Sequence, residues 1–449
     1  MLLAVGLTVV IRGLTIFATA TSFDADPDAY QAIARTIGGS GVFGLTSPEG
    51  VPRPIAFRPP LYPWLLSLSY SDGTLSHLAI AVFHLLLGSL TALFVFLFTR
   101  RLVEPSSRVN RRFTGDRLGL AAAVLTAIDP ILLRQSTEVM TETLAATLTA
   151  AVIWMWGICQ NETESRNRWA LPAGLGTLLA LAYLCRPTFL VWAVLLIIAG
   201  LIRAPNRRGL LSVTVVATLV AVAVGGWTLR NIRTLGHPIW ATTHGGYTLL
   251  LANNDSFYRY LSEGRFGQAW DADEFLNAYQ HRYDGDPRQA AFWQKDWKGP
   301  PTYGAAVSEY DDDRLCYESA VATIRRQPTV FVWSAFVRVA RLWSPFPHDI
   351  SGRSKKAVVA VGSFYVVLYA CVLVAIIRHR RFVFGRSWWA IWLLVITLTG
   401  VHAVYWSNLR MRAPAVPALA ILAVLSVGRN VGVRSLDAKP SEDSITESS

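Results

Sequence analysis

Asp24-Ala25-Asp26-Pro27-Asp28-Ala29-Tyr30 opens a stretch, residues 22–64, that closes with Ala56-Phe57-Arg58-Pro59-Pro60-Leu61-Tyr62-Pro63-Trp64. Apolar runs at 1–20 and 75–99 flank it. The opening predicts a helix: Asp26 is placed to cap it, Pro27 suits the first helical position, and Asp28 faces the positive end of the dipole. Tyr30, Ile33, Ala34 and Ile37 then recur at helical spacing, and Gly38-Gly39 is expected to end the run. Three carboxylates on a short helix beside a membrane, followed by a proline-rich return, read as a site rather than a linker.

Working outward, the 449 residues are 52% hydrophobic and only 16% charged. A soluble chain of this size carries about a quarter charged residues. The apolar excess is gathered in blocks near the ~20 residues that a helix needs to cross a bilayer, at 1–20, 75–99, 118–133, 139–159, 169–184, 188–202, 210–229, 357–377, 388–406 and 413–427. The expected class is an all-α polytopic membrane protein with about ten spanning helices. The first block is long for a signal core and lacks a basic start, so it is read as a retained helix. Cys159, Cys185, Cys316 and Cys371 show neither metal-ligand spacing nor a disulfide framework. The net charge of +12 does not point to nucleic acid, because the arginines lie between apolar blocks and not on a soluble basic face.

Alternate connections, 100–117, 161–168, 203–208, 378–386 and the tail 428–449, are arginine-bearing. They fall on one side of a ten-span chain, which the positive-inside rule makes the cytoplasm, with both termini there. The expected division is a module at 1–229 with its outer loop 22–74, an extracytoplasmic segment 230–356, closing helices at 357–427, and a disordered tail. Within the outer segment, 328–343 reads as an interfacial helix. Residues 307–314, with Glu309, Asp311, Asp312 and Asp313, read as a solvated acidic loop, since the EF-hand pattern is absent.

Outer loops normally avoid arginine near a membrane end, yet Arg58, Arg134, Arg186, Arg230, Arg233, Arg410 and Arg412 all stand there. Guanidinium groups at that depth suit a phosphate-bearing lipid. Carboxylates collect on the same face: Asp24, Asp26, Asp28, Glu138 and Glu142, the last two one helical turn apart and expected to point together.

Asp26-x-x-x-Tyr30-x-x-x-Ala34, the Arg58-Pro59-Pro60-Leu61-Tyr62-Pro63 return and Thr141-Glu142-Thr143-Leu144 resemble the GT-C glycosyltransferases. Within these, the chain is similar to bacterial dolichyl-phosphate-mannose protein mannosyltransferase-like and aminoarabinose transferase-like proteins. Trp227-Thr228-Leu229-Arg230-Asn231, Gly236-His237-Pro238, Thr243-His244-Gly245-Gly246 and Leu409-Arg410-Met411-Arg412-Ala413-Pro414 extend the likeness in order along the chain. The resemblance implies a GT-C helical bundle in the cytoplasmic membrane that moves a sugar from a polyprenyl-phosphate donor to a lipid, glycan or protein acceptor at the outer face. It implies Asp26 as general base, inversion as the expected stereochemistry, and Glu142 as the group that orients the acceptor or assists a cation. Arg58, Arg186, Arg230, Arg410 and Arg412 would hold the donor phosphate, with Asp24, Asp28, Glu138 and Tyr62 as secondary candidates. A divalent metal, if used, would sit on Asp24, Asp26 and Asp28. Some relatives carry a glutamate where Phe57 stands, which weakens the case for that metal. The competing classes are a lipid-linked-sugar transporter, which predicts mid-membrane charge or an internal repeat, and a non-catalytic scaffold. Asn253, Asn254, Trp270 and Tyr303 are the expected sugar contacts of the outer segment.

Overall fold

The computed structural model describes residues 1–19, 23–102, 108–161, 169–204, 206–264, 269–300, 308–348 and 354–428. The chain is almost wholly helical. After α1 (Leu2–Ala18) the outer loop folds as α2 (Tyr30–Ser40), a hairpin of β1 (Gly44–Thr46) and β2 (Pro52–Pro54), α3 (Leu61–Ser67), and a second hairpin of β3 (Tyr70–Ser71) and β4 (Thr74–Leu75). Both hairpins are antiparallel, with Leu45 opposite Arg53 and Tyr70 opposite Leu75.

The bundle continues with α4 (His77–Leu102), α5 (Arg108–Ala127), α6 (Pro130–Gln135), α7 (Glu142–Asn161), α8 (Ala170–Cys185), α9 (Thr188–Leu201) and α10 (Arg207–Leu235). A smaller unit follows: α11 (Gly245–Ala252), α12 (Asp255–Glu263), α13 (Asp273–Gln280), α14 (Glu309–Arg326) and α15 (Pro328–Trp343). The chain closes with α16 (Lys355–Val383), α17 (Trp389–Val404) and α18 (Val416–Val424). Among the described residues, six helical segments are long and apolar enough to cross a membrane, and α1, α8 and α9 are shorter apolar helices.

Position in the bundle follows composition. α7 is threaded with threonines and is buried on nearly all sides. Thr147 donates to the Thr143 and Leu87 carbonyls, and Thr149 to that of Pro414, so neighbouring backbones approach closely. α10 and α16, all-apolar across their middles, lie at the periphery with Val222 and Val367 exposed, as lipid-facing helices do.

Arginine-bearing connections pack against their neighbours. At one end Arg100 pairs with Asp116 at 3.0 Å, Arg203 lies over the Trp389 ring at 3.6 Å, and Arg378 donates to the Ser426 carbonyl. At the other end the outer loop, the α8–α9 turn and the α17–α18 turn meet.

Several local expectations need correction. α2 begins at Tyr30, four residues after Asp26, because Ala29 adopts a left-handed conformation (φ 60°). Asp26 still caps it, its Oδ1 and Oδ2 accepting from the Gln31 and Ala32 amides at 3.1 and 2.8 Å. Gly38-Gly39 does not stop the helix; Gly41 does, at φ 73°. A Cβ on Gly38 would lie 2.4 Å from Tyr70 Cγ, so that glycine makes room for the ring. The block at 118–133 breaks where Asp129-Pro130 in the sequence leads one to expect, with Asp129 capping α6 by accepting from the Ile131 and Leu132 amides. The acidic segment near 310 is not a loop: Ser308 caps α14 through the Asp311 amide, and Glu309, Asp311 and Asp312 fill the first turn, where the dipole favours them.

On α15, Ser334 and Arg338 are buried while Val332, Trp333 and Phe336 are exposed, so its polar face turns into the protein and its apolar face out. Arg338 Nη1 donates to the Ala252 carbonyl at 2.7 Å, and Nε and Nη2 to that of Ala403 at 2.9 and 2.7 Å.

Candidate active site

Three arginines from three distant turns converge on two carboxylates. Arg58 Nη2 pairs with Asp28 Oδ1 at 2.7 Å while its Nε donates to the Asp28 carbonyl. Arg410 Nη2 lies 3.9 Å from Asp28 Oδ2, and its Nε lies 3.1 Å from Glu142 Oε1. Arg186 Nη2 lies 2.8 Å from the same Oε1, and its Nε donates to Thr141 Oγ1 at 2.8 Å. Glu142 therefore sits between two guanidinium groups, 1% exposed. Arg410 Nε keeps an unspent hydrogen-bond donor, so its pairing with Glu142 is ionic. Three guanidinium groups against two carboxylates leave the cluster net positive.

Aromatic packing holds Arg58. Its guanidinium lies over Phe57 at 4.4 Å and Tyr30 at 5.6 Å. Burial, the largest influence, pushes the Tyr30 phenol up to about 12. His244 packs edge-on to Phe57, and burial aided by the Arg58 charge pushes its pKa down to about 3, so it is a neutral imidazole. The backbone beside Arg58 is clamped from both sides. Arg230 Nη1 donates to the Ile55 carbonyl, and the Ala56 amide donates to Glu309 Oε1, both at 2.6 Å.

The remaining candidates are distributed differently. Asp26 spends its carboxylate on the α2 amides, two residues before Asp28. Asp24 is exposed, 3.8 Å from His77. Glu138 does not share a face with Glu142, because α7 starts only at Glu142; it takes Arg134 and Gln135 instead, both at 2.7 Å. Arg230 and Arg412 do not join the cluster. Arg230 serves the Ile55 and Phe43 carbonyls. Arg412 is fully buried, donates to the carbonyls of Leu342 and Ser344, and lies 3.9 Å over the Tyr365 ring.

Asn253 and Asn254 are buried too, binding the Val404 carbonyl and capping α12. Trp270 is packed among Phe257, Phe275 and Trp406, and Tyr303 lies outside the described residues. Asp24, Asp26 and Asp28 turn to three different partners, and no group of three His, Cys, Asp or Glu side chains converges among the described residues. The conditional metal set does not fit a divalent ion.

Sequence reading missed the polar chain beneath the site. Tyr62 donates to His84 Nε2 at 2.8 Å, since His84 Nδ1 must itself donate to the Ser136 carbonyl at 3.0 Å. Arg12 Nη1 reaches Ser136 Oγ at 3.0 Å. The available signal was an ionisable group inside an apolar block, Arg12 in 1–20 and His84 in 75–99. Tyr62 in turn packs edge-on to Tyr30 at 5.2 Å, so this chain supports the floor on which Arg58 rests.

Residues 57–227, which carry Arg58, Glu142 and Arg186, match the dolichyl-phosphate-mannose-protein mannosyltransferase family. The likeness to that family is carried by the part of the chain that holds three of the clustered residues. The oligosaccharyltransferase of Archaeoglobus fulgidus in its apo form superposes with a TM-score of 0.50 at 14% identity, over 95% of this chain and 50% of that one. This chain thus spans about half the length of that protein. ArnT from Cupriavidus metallidurans bound to undecaprenyl phosphate superposes with a TM-score of 0.41 at 15% identity, covering 95% of this chain and 77% of that one. No curated protein matches the sequence.

Proposed function

We propose that this chain transfers a sugar from a polyprenyl-phosphate donor to an acceptor hydroxyl at the extracytoplasmic face of the cytoplasmic membrane, both termini being cytoplasmic. The observation that supports this reading above others is the convergence of Arg58, Arg186 and Arg410 from separate turns at one end of the bundle. The phosphodiester of such a donor, at headgroup depth, takes the place that the carboxylates of Asp28 and Glu142 now hold. The unspent Nε of Arg410 gives it a hydrogen bond besides. The matched family is named for a lipid-phosphate-linked sugar, which is the donor chemistry such a cluster suits.

Asp26 is the base in this reading. Its carboxylate is held in place by two backbone amides with no arginine paired to it, whereas Asp28 is tied to Arg58. Asp26 takes the acceptor proton as the acceptor oxygen attacks C1 of the sugar. The C1–O bond to phosphate breaks on the opposite face, inverting the anomeric centre, and the electron pair leaves with the phosphate. The arginines stabilise the charge gathered there. Glu142 sets the two guanidinium groups on which the phosphate lands.

Reconstituted in vesicles with radiolabelled polyprenyl-phosphate sugar, Asp26→Asn is expected to lose at least ~100-fold in transfer, the scale of a general base, with donor binding unchanged. Asp28→Asn should instead tighten donor binding, because it removes the anion that competes with the phosphate for Arg58. Transfer by Asp26→Asn within a few-fold of wild type removes Asp26 as the base.

A further inference from the structure

α2 has two working faces. Tyr30, Ile33 and Ala34 are buried against the bundle. Ala32, Arg35, Thr36 and Ser40 recur at the complementary helical spacing and, with Thr46 of β1 and Tyr70 of β3, line an open groove of about 470 Å³. That volume is in the range of ~300–1,000 Å³ usual for small-molecule sites. The wall is rich in hydroxyls: Thr36 Oγ1 and Thr46 Oγ1 lie 3.2 Å apart, and Ser40 Oγ donates to the Thr36 carbonyl. No carboxylate is among the lining residues. Arg35, exposed at the groove, donates to Gln31 Oε1 at 3.3 Å and makes no ion pair among the described residues.

The helix wall of the groove is tied to Asp26. Ala32, its first lining residue, donates its amide to Asp26 Oδ2 at 2.8 Å, while two residues along the chain Asp28 holds Arg58 of the cationic cluster. Asp26 thus stands at the head of α2 with the cluster on one side and the groove on the other. Gly38 and Gly39 sharpen the groove by letting the Tyr70 ring lie flat on the helix.

We propose that this groove is the acceptor subsite and takes a sugar bearing a phosphate or carboxylate group, its hydroxyls on the threonine and serine wall and its acidic group on Arg35. The assignment rests on Asp26 being the base of the transfer reaction. A guanidinium without a carboxylate partner is the cheapest charge for an anionic ligand to engage, since no internal ion pair has to be broken. A vicinal hydroxyl of such a ligand is then directed toward the head of α2, where its proton meets Asp26.

The test uses the full-length protein in detergent micelles with glucose 6-phosphate and glucose as probes, followed by saturation-transfer NMR. Undecaprenyl phosphate binding is measured in parallel. Glucose 6-phosphate is expected to bind more tightly than glucose. Arg35→Gln should weaken the phosphorylated probe about 10-fold, a loss of ~1.4 kcal/mol, and leave glucose unchanged. Thr46→Trp, which fills the groove from an exposed position, should abolish both. Neither variant should alter undecaprenyl phosphate binding. Equal binding of the two sugars, or both variants silent, overturns the groove; if Asp26→Asn is still inactive, the transferase reading survives that result. Loss of probe binding in both variants together with an active Asp26→Asn overturns the acceptor assignment and the base at once.

Discussion

Two sets of arginines occupy the same end of the bundle and differ in what they hold. Arg58, Arg186 and Arg410 are ion-paired to the carboxylates of Asp28 and Glu142. Arg230, Arg338 and Arg412 donate instead to backbone carbonyls of Ile55, Phe43, Ala252, Ala403, Leu342 and Ser344, with Nε and Nη2 of Arg412 buried without a hydrogen-bond partner among the described residues. A carboxylate is an anion that another anion can replace, so the first set is exchangeable with a phosphate. A carbonyl in a loop or at a helix end has no other donor to turn to, so the second set acts as staples. Position near a membrane end is common to both sets; the partner decides the role.

The sharpest break of that comparison is at Arg412. Arg412→Met leaves two buried carbonyls without their donor, at about 1–3 kcal/mol each. The expected outcome is a fall of several degrees in the thermal unfolding midpoint in detergent. Added undecaprenyl phosphate should not restore it, and affinity for that lipid should change less than twofold. A variant with an unchanged midpoint and a tenfold loss of phosphate affinity would move Arg412 into the exchangeable set.

Arg58 tests the other set. Its guanidinium is half-buried, hydrogen-bonded to Asp28 and stacked on Phe57. Charge-assisted hydrogen bonds contribute ~1.5–3 kcal/mol, so Arg58→Ala should cost undecaprenyl phosphate binding at least tenfold. Its unfolding midpoint should move less than that of Arg412→Met, because the released Asp28 is partly solvated. Equal midpoints and equal affinities in the two variants would erase the distinction.

The sequence carried the architecture because apolar blocks and arginine-bearing connections are one-dimensional signals. The helices α1, α4, α7 and α10 fall on blocks read from composition, and the turns holding Arg186 and Arg410 meet the outer loop as the alternation requires. Residue types at the site were legible for the same reason. Partner choice was not, because it depends on distances between segments remote along the chain. Nothing local separates Arg410, which reaches Glu142, from Arg412 two residues later, which turns into the core toward Tyr365. Glu138 and Glu142 parted company over where one helix begins, which apolar spacing fixes only to within a turn. Asp26 was placed correctly as a cap, but the left-handed turn at Ala29 that separates it from the helix it caps has no glycine to announce it.

The smallest effect belongs to Arg134, an outer arginine that the sequence reading left out of the donor-phosphate set. Its side chain is 60% exposed and pairs with Glu138 at 2.7 Å within one helical turn. Such surface pairs are worth ~0.2–1 kcal/mol, and Glu138 keeps Gln135 as a hydrogen-bond partner when the arginine is removed. Arg134→Ala is therefore expected to shift neither the unfolding midpoint by more than about a degree nor undecaprenyl phosphate affinity by more than twofold. Measured beside Arg58→Ala in the same micelles, it sets the baseline for an arginine at the same end of the bundle that takes no part in binding. A tenfold loss of affinity at Arg134 would mean that the whole arginine-bearing rim binds the lipid phosphate, and that the two carboxylates of the cluster do not mark out the site.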